Sequence, residues 1–153
     1  MAKDGRIKIL IDTREQKKLT FLPDSRFTTV RKKLEVGDYG CVRADGNTMP
    51  YYFERKSMSD LFGTMGKGYS RFKREILRAR EADCCLILIV EGSLREVWGG
   101  VRRSHLRGDS VVKKMFTLLV KYELYPVFVN DRAEMARYIL EFYYAVNRWM
   151  KRK

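Results

Sequence analysis

The chain has 153 residues, of which 45% are hydrophobic, so a single ordinary domain can bury a full core without help from disulfides. Its 32 Lys and Arg residues outnumber 19 Asp and Glu, and the net charge of +13 favours a polyanionic partner, although ribosomal and membrane-surface proteins share such a charge. The polar start excludes a signal peptide, and the lack of a long apolar run excludes a membrane span, so we expect a soluble, intracellular protein.

Strands dominate the first part of the chain. Four are predicted: at residues 7–11, at 27–34, from Gly37 onwards, and at 51–56. The first ends at Asp12, and the cluster Asp45-Gly46-Asn47 predicts a hairpin between the third and the fourth. We expect these early strands to pair as hairpins.

Helices and strands alternate after Ser57. We predict a helix ending near Met65, a basic helix at about 70–82, a buried strand at 84–90, a helix at about 110–124, a strand at 126–129 and a helix at about 132–149. The order predicts one α/β domain over residues 1–153, with a central mixed sheet flanked by helices. The adjacent Cys84 and Cys85 are interpreted as small core residues in a reducing compartment, since no Cys/His cluster indicates zinc or redox chemistry.

The fourth strand carries the residues that point to chemistry. Because side chains alternate along a strand, Glu54 and Lys56 share one face, while Arg55 lies on the other. A carboxylate that binds a metal, beside an amine that orients water or offsets negative charge, suits cleavage of phosphodiesters. The preceding strand brings up Asp38, so two carboxylates could bind one Mg²⁺. A bare Glu-x-Lys is common, however, and could be an ordinary ion pair.

The neighbouring motifs favour a catalytic site over an ordinary ion pair, because together they resemble the nuclease domain of the XPF-type structure-specific endonucleases. That family's motif is G-D, a variable gap and E-R-K-x-x-x-D, and its first strand ends in D-x-R-E. The corresponding residues here are Gly37-Asp38, Glu54-Arg55-Lys56 with Asp60, and Asp12-Thr13-Arg14-Glu15; further matches are Gly68, Arg71, Glu75 and residues 88–92. The resemblance extends from about residue 7 to 145.

This resemblance implies a restriction-endonuclease-like core that uses Mg²⁺ or Mn²⁺ to hydrolyse one DNA strand near branched, flapped or forked junctions, in repair, recombination or replication. Carried over by position, Asp38 and Glu54 would bind the metal with Asp12 at its edge, and Lys56 would be the catalytic lysine. The site would be framed by Arg14, Glu15, Arg55 and Asp60. Family members generally act as homodimers and carry a following helix-hairpin-helix module. We expect neither that module nor a helicase domain here, which leaves junction selectivity open.

Several motif residues also have structural interpretations. The Ser57-x-x-Asp60 spacing is that of a capping box, in which Asp60 would secure the start of a helix. Asp12-x-x-Glu15 could likewise form a local cap or turn. The Arg55 side chain could pair with a carboxylate behind the sheet or reach a phosphate.

Two basic segments are candidates for contact with the DNA backbone. The stretch 63–68 lacks the spacing of a phosphate-binding loop, so we expect no nucleotide cofactor but a mobile loop against DNA, followed by a basic helix. The predicted contacts are Lys67, Tyr69, Arg71, Arg74 and Arg78. A second cluster in a predicted loop contains Arg102, Arg103, Arg107 and the single histidine, His105, which is interpreted as an ordinary surface or packing residue.

Two other functions remain open at this point. One is a DNA-binding scaffold that shares the fold and does not cut, and the other is a sequence-specific restriction-type nuclease with the same metal chemistry. The aromatic residues of the last helix are mostly core by their spacing, although a wide apolar stripe there could also support a dimer.

Overall fold

A computed structural model describes residues 5–151, without the side chain of Lys151. The first four residues, on which the expectation about a signal peptide depends, lie outside the described residues, as do 152–153. In chain order the elements are β1 (Ile7–Asp12), β2 (Phe27–Lys32), β3 (Tyr39–Val42), β4 (Tyr51–Lys56), α1 (Met58–Met65), α2 (Tyr69–Glu81), β5 (Cys85–Glu91), α3 (Leu94–Gly99), α4 (Gly108–Tyr122), β6 (Pro126–Val129) and α5 (Arg132–Lys151). No helix among these described residues is both long and apolar enough to cross a membrane.

The six strands form one mixed sheet in the order β2-β1-β3-β4-β5-β6. The β1/β3 and β3/β4 pairs are antiparallel, whereas the β1/β2, β4/β5 and β5/β6 pairs are parallel. The predicted α/β class with a central mixed sheet is therefore confirmed. The expectation that the early strands pair as hairpins is wrong for β1 and β2, because residues 13–26 cross over and return the chain in the same direction.

The β3–β4 hairpin follows from its turn residues. Gly46 has φ +92°, a conformation that costs a glycine little, and Asp45 Oδ1 accepts a hydrogen bond from the N–H of Asn47. The resulting hairpin places Tyr39 opposite Phe53. It thereby brings Asp38, at the start of β3, beside the carboxyl end of β4.

Side chains from the two faces of the sheet fill two cores. One core lies under α5 and the 13–26 crossover and contains Phe53, Ile89 and Tyr143. The other lies under α1 to α4 and contains Leu61, Phe72 and Val90. Alternation along β4 therefore directs Phe53 and Arg55 towards the α5 side, and Glu54 and Lys56 towards α1 and α2. The second of these sides carries the candidate site.

Helix α3 was not predicted, although the sequence contains its start signal. Ser93 Oγ accepts a hydrogen bond of 3.1 Å from the N–H of Glu96 and donates one of 3.3 Å to Glu96 Oε1, so Ser93 is the N-cap of the helix. The helix has only six residues, too few for its periodicity to stand out. At the start of α5, Asp131 Oδ1 likewise accepts a hydrogen bond of 2.8 Å from the N–H of Glu134.

The interpretation of the adjacent cysteines needs correction. Cys84 precedes β5 and is half-buried, and Cys85 is the exposed first residue of that strand. Both therefore lie at the rim of the sheet, because the buried part of β5 begins only at Leu86. All three cysteines are free thiols.

Candidate active site

The predicted site residues converge on a cleft at the carboxyl ends of β1 and β4. The cleft has a volume of about 930 Å³ and lies between this edge of the sheet, α1 and α2. Six of the eight predicted catalytic residues line it: Asp12, Arg14, Asp38, Glu54, Lys56 and Asp60. Glu15 and Arg55 are not part of its lining.

Glu54 and Lys56 form an ion pair on the cleft face of β4. Lys56 Nζ lies 3.1 Å from Glu54 Oε2, with both side chains largely buried, and Lys56 Nζ also lies 5.8 Å from the centre of the Phe72 ring. Burial alone would lower the pKa of Lys56, but the negative charge of Glu54 raises it overall. Lys56 is therefore an ammonium ion at neutral pH and is not poised as a general base.

Backbone contacts fix the position of Asp38. Its Oδ2 accepts a hydrogen bond of 2.8 Å from the N–H of Arg55, and its own N–H donates to the carbonyl of Phe53 at 2.7 Å. The preceding Gly37 has φ +72°, and a Cβ there would lie only 3.0 Å from the Phe53 carbonyl oxygen. Only glycine fits this approach without strain, so the turn into β3 directs the Asp38 carboxylate at β4.

Two like charges meet where Asp38 and Glu54 converge. Burial raises the pKa of Glu54 well above its ordinary value, and the negative charge of Asp38 raises it further. Burial also raises the pKa of Asp38, although its hydrogen bond with the N–H of Arg55 opposes that effect. A buried and a half-buried carboxyl group that resist simultaneous ionisation are suited to share a cation.

A divalent metal ion therefore fits the donor set. Carboxylate oxygens are the ligands that Mg²⁺ prefers, and it usually takes one or two of them together with water and substrate phosphates. Among residues 5–151, no group of three or more His, Cys, Asp or Glu side chains is arranged to hold a metal ion. Asp38 and Glu54 would thus supply the protein ligands, with the remaining positions open.

Asp12 is engaged in holding the edge of the site. Its Oδ2 accepts a hydrogen bond from Arg14 Nε and its Oδ1 accepts one from the N–H of Leu34, each at 2.9 Å. Arg14 Nη2 in turn donates to the carbonyl of Leu34 at 2.8 Å. Since both Asp12 oxygens already accept hydrogen bonds, the structure shows a bracing role, and metal binding by Asp12 stays a prediction.

Arg55 and Glu15 pair on the opposite face of the sheet. Arg55 Nε and Nη2 each lie 3.0 Å from one Glu15 carboxylate oxygen, and the two side chains are 10% and 8% exposed. Of the two partners considered for the Arg55 side chain, the structure therefore has the carboxylate behind the sheet. The residue still acts on the cleft through its backbone N–H, which holds Asp38.

Asp60 is exposed on the first turn of α1. Its N–H donates to Ser57 Oγ at 3.1 Å, so Ser57 caps the helix as the spacing predicted. The Asp60 carboxylate lines the cleft, which makes capping compatible with a place in the site.

The predicted DNA contacts divide into two groups. Lys67, Arg71 and Arg78 line the cleft, whereas Arg74 and Tyr69 do not. Tyr69 instead packs against the core below α2, with two lysine ammonium groups each 4.8 Å from its ring centre. The expected loop at 63–68 is also shorter than predicted, since residues 63–65 form the last turn of α1.

One residue of the cleft received no role from the sequence. Glu75, on α2, accepts a hydrogen bond of 3.2 Å from the N–H of Gly37, next to Asp38. Its negative charge also raises the pKa of Glu54. Helical spacing offers the signal, because positions 71, 75 and 78 fall on one face of a helix and all three line the cleft.

Comparison with known proteins identifies the family of the chain. The family model of the ERCC4 domain matches residues 11–142. Two solved structures cover most of the chain: XPF from Aeropyrum pernix, with 22% identity over 95% of this chain and a TM-score of 0.65, and XPF from Aeropyrum pernix in complex with DNA, with 21% identity over 96% and a TM-score of 0.66. This chain spans 66% of the length of each. No match was found among curated proteins. The mixed sheet with its flanking helices is thus the restriction-endonuclease-like fold, and the chain belongs to the ERCC4 domain family.

Proposed function

We propose that this protein is a metal-dependent DNA endonuclease that hydrolyses phosphodiester bonds. The observation that carries the proposal is the Glu54–Lys56 pair, 3.1 Å apart and next to Asp38, in a cleft whose rim is basic. Placing the half-buried Asp38 carboxylate beside the buried Glu54 carboxylate has no evident structural benefit without a bound cation, because separating the two like charges would relieve repulsion. Membership of a nuclease family supports the same conclusion.

Different residues of the cleft would have different roles in cleavage. Asp38 and Glu54 would hold Mg²⁺ or Mn²⁺, which when bound polarises the phosphate and lowers the pKa of a coordinated water. Lys56, kept protonated by Glu54, positions the attacking water or offsets the negative charge that develops on the phosphate. Asp12, Arg14 and Asp60 shape the edge of the cleft.

The basic rim would bind the DNA backbone. Lys67, Arg71 and Arg78 are exposed side chains of the cleft and suit phosphate oxygens. Contacts to phosphates carry no base information, so we expect low sequence preference and strong salt dependence. Branched, flapped or forked DNA is the proposed substrate, as the resemblance implies, and one of the similar XPF structures is in complex with DNA.

We also propose that the protein works inside the cell as a homodimer, in DNA repair or recombination. Exposed apolar side chains on α4 and at the start of β6 support a dimer: Phe116 is 52% exposed, Val120 83% and Tyr125 59%. On the last helix, Tyr143 and Tyr144 are buried, whereas Tyr138 is 39% and Trp149 58% exposed.

The test compares Glu54→Gln with the wild type on flapped, forked, Holliday-junction and plain duplex DNA, with and without Mg²⁺ or Mn²⁺. We expect metal-dependent nicking of branched DNA by the wild type, and lost cleavage with retained DNA binding in the variant. Glu141→Gln, which removes an exposed carboxylate from α5 on the other side of the sheet, serves as control and should cut normally.

Two outcomes would contradict the proposal. Wild-type protein that binds DNA but cuts none of the substrates with either metal would be a scaffold. Cutting of plain duplex at one defined sequence would indicate a restriction-type nuclease instead.

A further inference from the structure

A second concave surface lies beside the cleft and has no part in the site described above. It has a volume of about 580 Å³ and is formed by the end of α3, the 100–107 loop and the start of α4. The side chains of Trp98, Arg102, His105 and Arg107 line it. A single nucleotide would fit this volume, which falls within the usual range for ligand sites.

The indole of Trp98 is the most conspicuous feature of this surface. It is 53% exposed, although burying an aromatic ring of this size would ordinarily be favourable. Its backbone is nevertheless held firmly: Val97 before it is fully buried, and a Cβ at Gly108 would lie 2.5 Å from the Trp98 carbonyl oxygen. The packing of α3 against the start of α4 therefore presents the ring on a fixed support.

The charge of the surface favours an anion. Arg102, Arg103 and Arg107 are exposed on the loop, and Asp109 is the acidic residue in the lining. Arg107 Nε lies 3.2 Å from Asp109 Oδ1, but the arginine side chain remains 81% exposed. A phosphate could therefore approach its guanidinium group without breaking a buried contact.

The surface lies next to the turn that borders the cleft. Leu106 packs against the turn between α1 and α2, with its Cδ2 3.8 Å from the position that a Cβ on Gly66 would take. The next residue of that turn, Lys67, lines the cleft. A strand that leaves the cleft across Lys67 thus reaches the 100–107 loop without crossing an acidic segment of the turn.

We propose that this surface binds a single-stranded DNA segment that continues from the substrate in the cleft. One base stacks on Trp98, and the arginines of the loop contact the adjacent phosphates. Stacking requires an unpaired base, so the surface would distinguish flapped or forked DNA from plain duplex. This inference rests on the proposed function for the identity of the ligand, but not on cleavage.

The fluorescence of Trp98 provides a direct readout. The chain has two tryptophans, so Trp149→Phe leaves Trp98 as the only one. In the added background of Glu54→Gln and without metal, titration with oligo-dT or flapped DNA should quench its emission in parallel with binding, as followed by the anisotropy of labelled DNA. Blunt duplex should bind with little quenching.

Affinity measurements supply the second arm. Trp98→Ala should weaken binding of flapped DNA by about fivefold or more, since stacking contributes roughly 1–3 kcal/mol per base. Trp98→Phe should recover most of the loss. Leu22→Ala is the control: Leu22 is 80% exposed but lies in the 13–26 crossover, on the α5 side of the sheet, and its removal should not change affinity.

Three results would overturn the inference. The first is unchanged Trp98 emission when labelled flapped DNA is saturated. The second is equal affinity of the Trp98→Ala and Leu22→Ala variants for that DNA. The third is a change in emission with protein concentration alone, which would make the surface an interface between copies of the chain. Failure of cleavage affects none of these measurements, so the two proposals fail separately.

Discussion

Replacing Arg55 with methionine separates a structural from a catalytic role for this motif residue. The Arg55–Glu15 pair is nearly buried, with side chains 10% and 8% exposed and two contacts of 3.0 Å. Removing one partner of a buried pair leaves the other charge uncompensated and costs about 3–5 kcal/mol. In a domain of this size 1 kcal/mol lowers Tm by about 2–4 °C, so we expect a decrease of roughly 6–20 °C.

Thermal unfolding and single-turnover cleavage test this expectation together. Arg55→Met keeps the backbone N–H that holds Asp38, so folded protein at low temperature should retain most of its cleavage rate. Adding Glu15→Gln should recover part of the lost stability, because no unpaired charge then remains. The exposed Arg107–Asp109 pair is the control, and Arg107→Met should cost no more than about 1 kcal/mol. Unchanged Tm with a large loss of cleavage rate would refute the structural role.

Four further expectations follow from the cleft. Burial raises the pKa of Glu54, so its contribution to stability is present below the ordinary glutamate pKa and is lost as pH rises through the raised pKa of the folded state. Mg²⁺ should therefore raise Tm more at mildly alkaline than at mildly acidic pH. Equal increases in Tm at the two pH values would contradict this. Glu75→Gln keeps an acceptor for the N–H of Gly37 and should cleave at nearly the normal rate, whereas Glu75→Ala should lose cleavage rate more than DNA affinity. Equal losses of cleavage rate in the two variants would exclude this hydrogen bond as the cause. Gly37→Ala should impair cleavage and cost about 1–2 kcal/mol in strain. Gly46→Ala, also at positive φ but in open space, should lower stability without changing cleavage. Normal cleavage by Gly37→Ala would show that the close approach of Gly37 to Phe53 does not position Asp38. Arg71→Ala should reduce the slope of log affinity against log salt by about 1, and an unchanged slope would remove Arg71 from the DNA contacts.

Most of the fold was predictable because its elements have strong local signals. The bounds predicted for β4 and β6 agree with the structure. A proline stands next to the start of each strand, Pro50 before β4 and Pro126 as the first residue of β6, and offers a local signal. The parallel pairing of β1 with β2 was not predictable in this way, because it depends on how the 13–26 crossover packs Leu19 against the sheet. Leu34, expected inside the second strand, lies beyond its end, and its N–H donates to Asp12.

The positions of site residues were predictable where local backbone geometry determines them, and were not predictable where they depend on tertiary contacts. Strand alternation was sufficient to place Glu54 and Lys56 together. Nothing local to Tyr69 could show that its ring packs under α2, because that depends on Lys114 of a helix far along the chain. The bond from Gly37 to Glu75 likewise joins residues 38 positions apart.

The contiguous motif Glu54-Arg55-Lys56 thus combines two roles on one strand, one in the cleft and one in supporting it. Its first and third side chains enter the cleft, where they place opposite charges 3.1 Å apart. Its second side chain binds Glu15 behind the sheet, while its N–H holds Asp38 on the cleft side. Because consecutive residues of a strand face opposite ways, a strand that must carry both a site and its support has to interleave them. The presence of an arginine between two residues of the proposed site therefore requires no catalytic role for its guanidinium group.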